Sequence, residues 1–277
     1  MNNYIPKIIA AHDLSGMGKA SLTVATPILS VMGSYVCPLP TAVLSTITGV
    51  FEGYSITDLT SHMEDTVKHW DTLGIKFDYL YSGFLGSPHQ VDIIIDAAER
   101  FKCRLMVDPA FGDHGNLYST MTDEMVKNMR RLVSKAELIT PNLTEAMFLL
   151  NEKAFPKNKD EITSWLLRLA DMGPNQVIIT SCEIGNDMYV CAYDKGKKQF
   201  LDVKCQYVPI TLHGTGDMFA SVVIGSIIRG DSFEGAIKLA VDFIREAILI
   251  TLENGLPTRE GAVFEKILYK LALPLKG

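Results

Sequence analysis

Short apolar runs alternate with segments of helical periodicity along most of the chain, and this alternation restricts the fold more than any other feature. Between the runs, apolar residues recur at helical spacing, as do Val91, Ile94 and Ala98. Repeated strand–helix–strand units are typical of a parallel sheet with helices on both of its faces. The sequence therefore predicts an α/β fold with a mostly parallel central sheet. Its predicted strands are residues 7–11, 35–39, 78–82, 104–107, 137–140 and 176–180.

One late region departs from this alternation. Residues 188–194 and 199–205 flank a short polar turn, which predicts a small antiparallel β-hairpin added after the parallel series. Further on, Asp231 and Glu234 have the spacing of a helix N-cap and its capping-box partner, and they predict a long helix. The apolar face of that helix carries Phe233, Ile237, Ala240, Val241 and Ile244.

Length and charge narrow the classes of function. The 277 residues carry a net charge of −6, so the chain lacks the basic excess with which proteins bind nucleic acid or anionic membranes. No apolar run approaches the roughly 18–20 residues that span a bilayer. Because the sequence contains no linker and no repeat, we expect one domain over residues 1–277.

The cysteines and the N-terminal residues indicate in which cellular compartment the protein is found. The five cysteines form no Cys-x-x-Cys pair and are odd in number, which argues against a disulfide framework and a cysteine zinc site. The apolar stretch that follows Lys7 is too short for a signal peptide. We therefore expect a cytoplasmic protein.

Polar and small residues follow each predicted strand, at the edge where ligands of open α/β sheets bind. In any single loop such residues are as common without a function as with one. Their recurrence after six strands in succession indicates a ligand site. The candidates, in strand order, are Asp13 and Ser15, then Thr41, Phe84, Asp108 and Asp113, then Thr140, Asn142 and Glu145, and finally Thr180.

Residues 16–21, Gly-Met-Gly-Lys-Ala-Ser, come near two nucleotide-binding motifs without matching either. A P-loop needs a glycine where Asp13 stands and a hydroxyl where Ala20 stands. The dinucleotide fingerprint needs a third glycine where Ser21 stands, and this mismatch argues against a dehydrogenase. The segment is either a turn into a helix over residues 22–32 or a loop over a small substrate.

A second glycine motif carries a stronger signal. In residues 213–217, His-Gly-Thr-Gly-Asp, the glycines would expose backbone N–H groups at the start of an apolar helix. Such groups and the helix dipole favour an anion. Asp217 is then either an ordinary carboxylate of the first helical turn or a general base beside an anion hole. Phosphoryl transfer uses the second combination.

Four segments resemble the kinases of the ribokinase-like superfamily, and in particular the pyridoxal kinases. Residues 214–217 are similar to their G-T-G-D motif. Residues 108–118 resemble their segment D-P-V-x-G-D followed by G-x-(L/M)-Y. Residues 140–145 resemble T-P-N-x-x-E, and residues 82–86 resemble S-G-Y-x-G. The resemblance extends from residue 7 to about residue 250 and implies the three-layer ribokinase-like fold.

The same resemblance implies a reaction and its residues. The reaction is ATP-dependent phosphorylation of the 5′-hydroxymethyl group of a vitamin B6 vitamer: pyridoxal, pyridoxine or pyridoxamine. Asp217 would be the base, and Gly214, Thr215 and Gly216 would hold the transferred phosphoryl group. The implied substrate residues are Asp13, Ser15, Thr41 and Phe84.

The resemblance also implies how ATP is bound. The implied nucleotide residues are Asp108, Asp113, Thr140, Asn142, Glu145 and Thr180. Asp113 and Glu145 would be ligands of the Mg²⁺ that accompanies ATP. Thr140 and Thr180 would lie near the phosphates or a monovalent cation such as K⁺. A homodimer is the assembly that the resemblance suggests.

Three departures from the pyridoxal kinase pattern leave the substrate open. Asp13 stands where many of those kinases have a ring-contacting serine, and Ala110 replaces their usual valine. The first loop and the His213 motif also resemble the hydroxymethylpyrimidine kinases of thiamine biosynthesis, which usually carry cysteine where Asp217 stands. That activity is one alternative, and a non-catalytic regulator that binds a nucleotide or vitamer is another. His12, beside Asp13, is a further candidate for lining the pocket.

Overall fold

A nine-stranded sheet forms the middle layer of the computed structural model, which describes residues 4–206, 208, 210 and 212–272. A separate two-stranded hairpin, β6 and β7, lies after the fifth strand. The strands are β1 (Lys7–Met17), β2 (Tyr35–Thr46), β3 (Ile56–Asp58), β4 (Tyr79–Ser82), β5 (Arg104–Val107), β6 (Gly112–Asp113), β7 (Asn116–Leu117), β8 (Leu138–Ile139), β9 (Gln176–Ile184), β10 (Asp187–Asp194) and β11 (Gln199–Cys205).

The strand order is β11-β10-β9-β8-β5-β4-β1-β2-β3. Neighbouring strands from β9 to β2 pair in parallel. At one edge β3 pairs antiparallel with β2, and at the other edge β10 and β11 add the antiparallel hairpin. The predicted mostly parallel sheet and its added hairpin are therefore confirmed.

Helices cover both faces of the sheet. Among the described residues, none of them is at once long enough and apolar enough to cross a bilayer. The helices are α1 (Leu22–Val31), α2 (Thr60–Thr72), α3 (Pro88–Phe101), α4 (Asp123–Val133), α5 (Leu143–Leu150), α6 (Lys159–Asp171), α7 (Thr215–Arg229) and α8 (Phe233–Glu253), with short 3-10 turns at Thr258–Glu260 and Leu268–Leu271.

Alternate residues of the central strands face opposite helical layers. Ile9 and Ala11 of β1 belong to the core that α2 to α6 cover, whereas Ile8 belongs to the core under α1, α7 and α8. Val177 and Ile178 of β9 divide between the two cores in the same way. Because both faces are buried, these strands read in the sequence as continuous apolar runs. The predicted three-layer arrangement is confirmed.

Three strands continue further than the sequence predicts. The pattern ends the first strand at Ala11 and the second at Leu39, but β1 and β2 run side by side to Met17 and Thr46. Likewise β9 runs past Thr180, because β10 pairs with it. Strand pairing satisfies the backbone groups of polar and apolar residues alike, so polar side chains need not end a strand. Asp13 and Thr41, predicted in loops, therefore lie on strands.

The N-cap of α8 is Ser232, so the prediction of Asp231 is wrong. The hydroxyl of Ser232 accepts a hydrogen bond from the backbone N–H of Gly235 at 3.1 Å. Asp231 instead pairs with Arg229 at 2.5 Å. The helix begins one residue later than predicted, which puts the serine within reach of its first turn. Of the predicted apolar face, Phe233, Ile237 and Ala240 are buried, and Val241 and Ile244 are half-buried.

Candidate active site

The N-terminus of α7 depends on Gly214. Its φ is 79°, and a Cβ at this position would lie 1.8 Å from the carbonyl oxygen of Lys19. Only glycine permits so close an approach with a left-handed backbone. Thr215 then opens the helix, and its Oγ1 donates to the carbonyl of Leu212 at 3.0 Å. The first turn, which includes Gly216, presents backbone N–H groups and the positive end of the helix dipole.

Asp217 lies in this first turn with only 16% of its side chain exposed. Its Oδ2 accepts a hydrogen bond from the backbone N–H of Ser21 at 2.9 Å. Burial, and after it the charge of Asp108, raises the pKa of Asp217 to about 7. Near neutral pH this carboxyl group is therefore suited both to take up and to release a proton.

Asp13 is buried beside the same turn. Its Oδ2 accepts from the hydroxyl of Ser15 at 2.8 Å, and its Oδ1 accepts from the hydroxyl of Ser21 at 2.5 Å. Burial raises the pKa of Asp13, and the two hydroxyl hydrogen bonds oppose that rise. The predicted residues Asp13, Ser15 and Asp217 are thus brought together.

Ser21 connects the two carboxylates, and the sequence analysis did not select it. It donates its N–H to Asp217 and its hydroxyl to Asp13. Its φ of 53° is uncommon for a residue other than glycine, and such conformations occur often at functional sites. The signal in the sequence was its position at the end of the glycine segment that begins at Gly16.

An irregularity in the pairing of β1 with β2 explains why polar residues of both strands point into this region. The register shifts between His12 and Leu14, where Asp13 lies opposite Thr41 and Ala42. Such bulges redirect side chains and are frequent beside active sites. Asp13 and Thr41 are both buried as a result.

Thr41 and Phe84 also meet. The hydroxyl of Thr41 donates to the carbonyl of Phe84 at 3.1 Å. The buried side chain of Gln90 donates to the carbonyl of Thr41 at 2.9 Å and accepts from the N–H of Gly86 at 2.7 Å. Gln90 was not predicted, and it ties β2 to the segment that follows β4.

A second group of predicted residues surrounds the start of α5. Asn142 and Glu145 form a capping box: Asn142 accepts from the N–H of Glu145 at 2.9 Å, and Glu145 accepts from the N–H of Asn142 at 2.8 Å. Glu145 also accepts from the N–H of Phe111 at 3.2 Å. Thr180 pairs with Asn142 in an isolated β-bridge. Asn142, Glu145 and Thr180 are therefore neighbours.

Asp108 lies between the two groups. It is buried, and the hydroxyl of Thr140 donates to its Oδ1 at 3.0 Å. Burial raises the pKa of Asp108 to about 7, and the hydrogen bond from Thr140 opposes the rise. Its charge acts on Asp217 on one side and on Glu145 on the other.

The carboxylates of Asp108, Asp113 and Glu145 offer the hard oxygen donors that Mg²⁺ prefers. Burial, then the charge of Asp108 and also that of Asp113, raises the pKa of Glu145 well above its usual range. A cation would relieve this repulsion, so the residues fit the metal. Within the part of the chain that the structure describes, no group of three or more His, Cys, Asp or Glu side chains is placed to hold a metal ion without other ligands. Mg²⁺ beside nucleotides usually takes one or two carboxylates, with water and phosphate oxygens completing its shell.

Of the predicted residues around α5, Asp113 is the one that is exposed to solvent. It is exposed on the β6–β7 hairpin, and its Oδ1 accepts from the backbone N–H of His114 at 2.8 Å. The hairpin is attached to α5, because the side chain of Asn142 donates to the carbonyl of Gly112 at 2.9 Å. The sequence did not predict this hairpin, since its strands have only two residues each.

The fold and the pairing of a buried aspartate with a glycine-opened helix define a class: small-molecule kinases with the ribokinase-like fold. The family model described as phosphomethylpyrimidine kinase matches residues 31–262. The chain therefore belongs to the phosphomethylpyrimidine kinase family, and so to the phosphotransferases.

Two solved structures share the whole fold. A crystal structure from Bacteroides thetaiotaomicron VPI-5482, described as a phosphomethylpyrimidine kinase in an orthorhombic form with pyridoxal, has a TM-score of 0.93 at 43% identity, covering 99% of this chain and 98% of that one. Pyridoxal kinase from Lactobacillus plantarum has a TM-score of 0.90 at 27% identity, covering 97% of each chain. The predicted resemblance to pyridoxal kinases of this superfamily is confirmed.

Two curated relatives differ in their substrates. The hydroxymethylpyrimidine/phosphomethylpyrimidine kinase of Bacillus subtilis is 29% identical over 184 residues, which are 65% of this chain and 67% of that protein. The pyridoxal kinase PdxY of Leifsonia xyli is 25% identical over 264 residues, 90% of each. The family is thus established, and the relatives include both hydroxymethylpyrimidine kinases and pyridoxal kinases.

Proposed function

We propose that this protein transfers the γ-phosphoryl group of ATP to the 5′-hydroxymethyl group of a vitamin B6 vitamer. The observation that carries the proposal is the buried carboxyl of Asp217, with a pKa of about 7, in the first turn of α7. The relative crystallised with pyridoxal, at 43% identity, supports the substrate class.

The reaction follows from the position of Asp217. Its carboxylate takes the proton of the substrate hydroxyl as the oxygen forms a bond to the γ-phosphorus and the bond from that phosphorus to ADP breaks. The backbone N–H groups of Gly214, Thr215 and Gly216 donate to the oxygens of the transferred group, where negative charge is held in the transition state. Positioned donors and a base are the main contributions that a protein makes to phosphoryl transfer.

The acidic group around α5 is the proposed nucleotide side. When bound, Mg²⁺ neutralises phosphate charge and orients the phosphates. Asp113 and Glu145 would hold it, directly or through water, and Thr140 and Thr180 would lie near the phosphates or a K⁺ ion. Asp108 and Asn142 complete this side, because each is hydrogen-bonded to a member of the group or its hairpin.

The other side is the proposed vitamer pocket. Asp13 has both carboxylate oxygens engaged by serine hydroxyls, which hold the group in one orientation. A carboxylate held in this way suits a protonated ring nitrogen or a ring hydroxyl. Ser15 orients Asp13, and Thr41 and Phe84 line the neighbouring wall.

A hydroxymethylpyrimidine is the second candidate substrate. The family model and the Bacillus subtilis relative favour it, and its hydroxymethyl group would present the same oxygen to Asp217. The two candidates differ in the ring, so Asp13 would decide between them.

A substrate panel tests the choice. The protein is incubated with Mg·ATP and, separately, with pyridoxal, pyridoxine, pyridoxamine and hydroxymethylpyrimidine, and phosphorylated product is measured. We expect the highest kcat/KM with a B6 vitamer. Faster turnover of the pyrimidine would transfer the assignment to thiamine biosynthesis, and ligand binding without any product would favour a non-catalytic regulator.

The role of Asp217 gives a separate prediction. Loss of a positioned base typically costs about 10²–10⁴ in rate, so Asp217→Asn should lower kcat on that scale while ATP affinity stays near that of wild type. Asp242→Asn, an exposed carboxylate of α8, is the matched control and should leave kcat unchanged. Near-wild-type turnover by Asp217→Asn would remove this residue from the chemistry.

A further inference from the structure

His12 is a buried polar side chain for which the proposed chemistry has not yet supplied a use. Its ring has no exposed surface, and neither Nδ1 nor Nε2 has a hydrogen-bond partner. The ring packs edge-on against Tyr81, with 4.3 Å between ring centroids. Buried polar atoms are nearly always paired, so an unpaired imidazole needs an explanation.

The ring faces the proposed base. Nδ1 of His12 lies 4.0 Å from Oδ1 of Asp217. The other carboxylate oxygen, Oδ2, already accepts from the N–H of Ser21. Oδ1 is therefore the oxygen that Nδ1 approaches, at a distance too long for a hydrogen bond.

The position of the ring is specified by its surroundings. A Cβ on Gly83 would lie 2.1 Å from Nδ1 and 2.3 Å from Cε1 of His12. Any larger residue at position 83 would push the ring away. Gly83 on one side and Tyr81 on another thus hold the imidazole where Nδ1 is 4.0 Å from Asp217.

The ring is neutral. Burial lowers the pKa of His12 to about 3, so at physiological pH it carries one N–H and one bare nitrogen. A neutral N–H donor beside a carboxylate stabilises its ionised form without forming a permanent ion pair. It leaves the carboxylate free to take a proton from a substrate.

We propose that His12 is a positioning residue for Asp217: its Nδ1–H becomes the second donor to the carboxylate when the 4.0 Å gap closes around bound substrate. Catalytic hydrogen bonds are often long without substrate and shorten in the complex. The proposal rests on the proposed function, in which Asp217 is the base. With two donors, one on each oxygen, the carboxylate is held in a single orientation toward the substrate hydroxyl.

The charges around Asp217 disfavour its ionised form, which such a donor would favour. Asp108 and Asp13 face it with like charges, and Tyr81 packs nearby with a phenol whose pKa burial and the carboxylates raise. Burial and the two like charges oppose ionisation of Asp217. The N–H of Ser21 and the start of α7 favour it, and the Nδ1–H of His12 would add a second donor.

The pH profile of kcat/KM tests the proposal. His12→Leu keeps an apolar volume but removes the donor, so it should shift the acid limb upward by about one pH unit, a tenfold loss near pH 6 and little loss at pH 9. His12→Asn places an amide N–H where Nδ1–H stands and should restore the wild-type profile. Melting temperatures show whether both variants are folded.

Three results would overturn the proposal. They are a loss of kcat/KM in His12→Leu that is equal at every pH, a wild-type profile in His12→Leu, and failure of His12→Asn to restore the limb. If wild type phosphorylates no substrate of the panel, the proposed function fails instead. The two failures are therefore distinguishable.

A measurement on the wild-type protein needs no folded variant. In ¹⁵N-histidine-labelled protein, His12 should show a protonated Nδ1 and a bare Nε2 from pH 5 to pH 9, with and without a bound vitamer. The other five histidines are separated from it by their response to pH. A ring with the proton on Nε2 would contradict the proposal, because that tautomer offers no donor to Asp217.

Discussion

At the scale of single residues, the proposed role of Asp217 as a base is accompanied by a cost to stability. Its pKa is about 7 in the folded protein and near 4 in an unfolded chain, about 3.9 for a free aspartate. Between these values the folded state binds more protons than the unfolded state. Stability therefore falls as pH rises from about 4 to 7 and is then level.

Because ionisation of Asp217 lowers stability, the variant Asp217→Asn, which removes the proposed base, should be more stable than wild type. Asp217→Asn has no charge to bury, so it should be more stable than wild type by up to about 4 kcal/mol above pH 7. The difference should shrink as the pH falls from 7 towards 4 and vanish below it, where the wild-type carboxyl is protonated in both states. Urea unfolding at pH 5 and pH 8 measures it, with Asp242→Asn as the control. If the difference in unfolding free energy between Asp217→Asn and wild type is the same at both pH values, ionisation of Asp217 does not destabilise the folded protein.

At the residue scale, the sequence selects candidates where a residue stands in a motif. Asp217, Glu145 and Asn142 are brought out in this way, and the structure places them at the N-termini of α7 and α5. Ser21 has no such signal, because its partner Asp217 is 196 residues away. Hydrogen bonds between distant segments arise only from the packed fold, so Gln90 also escapes prediction.

At the scale of elements, the apolar runs predict where strands lie better than they predict where strands end. The central strands are found because both of their faces are buried. The extensions of β1 and β2 beyond Ala11 and Leu39 are not found, since they depend on mutual pairing and carry polar side chains. These extensions hold Asp13 and Thr41, so the unpredicted part of the sheet carries two residues of the proposed vitamer pocket.

The two ends of α7 offer a test of how the helix is attached. Gly214 and Gly230 both have left-handed backbones, but a Cβ at Gly230 would meet open space. Gly230→Ala should therefore cost only the left-handed backbone, about 1–2 kcal/mol, with normal turnover. Gly214→Ala adds an overlap with the carbonyl of Lys19, which must displace the proposed anion hole.

We expect Gly214→Ala to lose most of its turnover even where urea unfolding shows a cooperative fold. Single-turnover assays and urea midpoints of the two alanine variants give the comparison. Equal turnover in both would mean that the close approach of Gly214 to Lys19 has no part in the reaction.

At the scale of the whole molecule, the sheet gathers acidic residues of distant segments at one edge. Asp13 lies on β1, Asp108 and Glu145 come after β5 and β8, Asp217 is in the first turn of α7, and each is largely buried. The alternation of strands and helices predicts this convergence, because the carboxyl ends of parallel strands share an edge. The single domain over residues 1–277, the homodimer and the cytoplasmic location stay predictions, since they concern properties that the described fold does not test.

The gathered charge predicts how the protein responds to its nucleotide. ATP alone would add negative charge to an edge already rich in carboxylates, whereas Mg·ATP brings a cation that offsets it. At a hundredfold excess over Kd, a ligand adds about 2.7 kcal/mol to stability. For a chain of this length that corresponds to a rise in melting temperature of about 5 °C. ATP with EDTA should raise it much less.

Glu145→Gln tests whether Glu145 causes the difference between the melting-temperature shifts with Mg·ATP and with ATP and EDTA. Glutamine keeps one acceptor oxygen for the capping box of α5 but lacks the charge that would hold the cation. It should therefore lose most of the magnesium-dependent part of the shift and keep the part seen with EDTA. Glu253→Gln, exposed at the end of α8, should behave as wild type. Thermal melts of the three proteins in both buffers decide the matter: equal shifts with and without Mg²⁺ in wild type would mean that the acidic edge binds nucleotide without a cation.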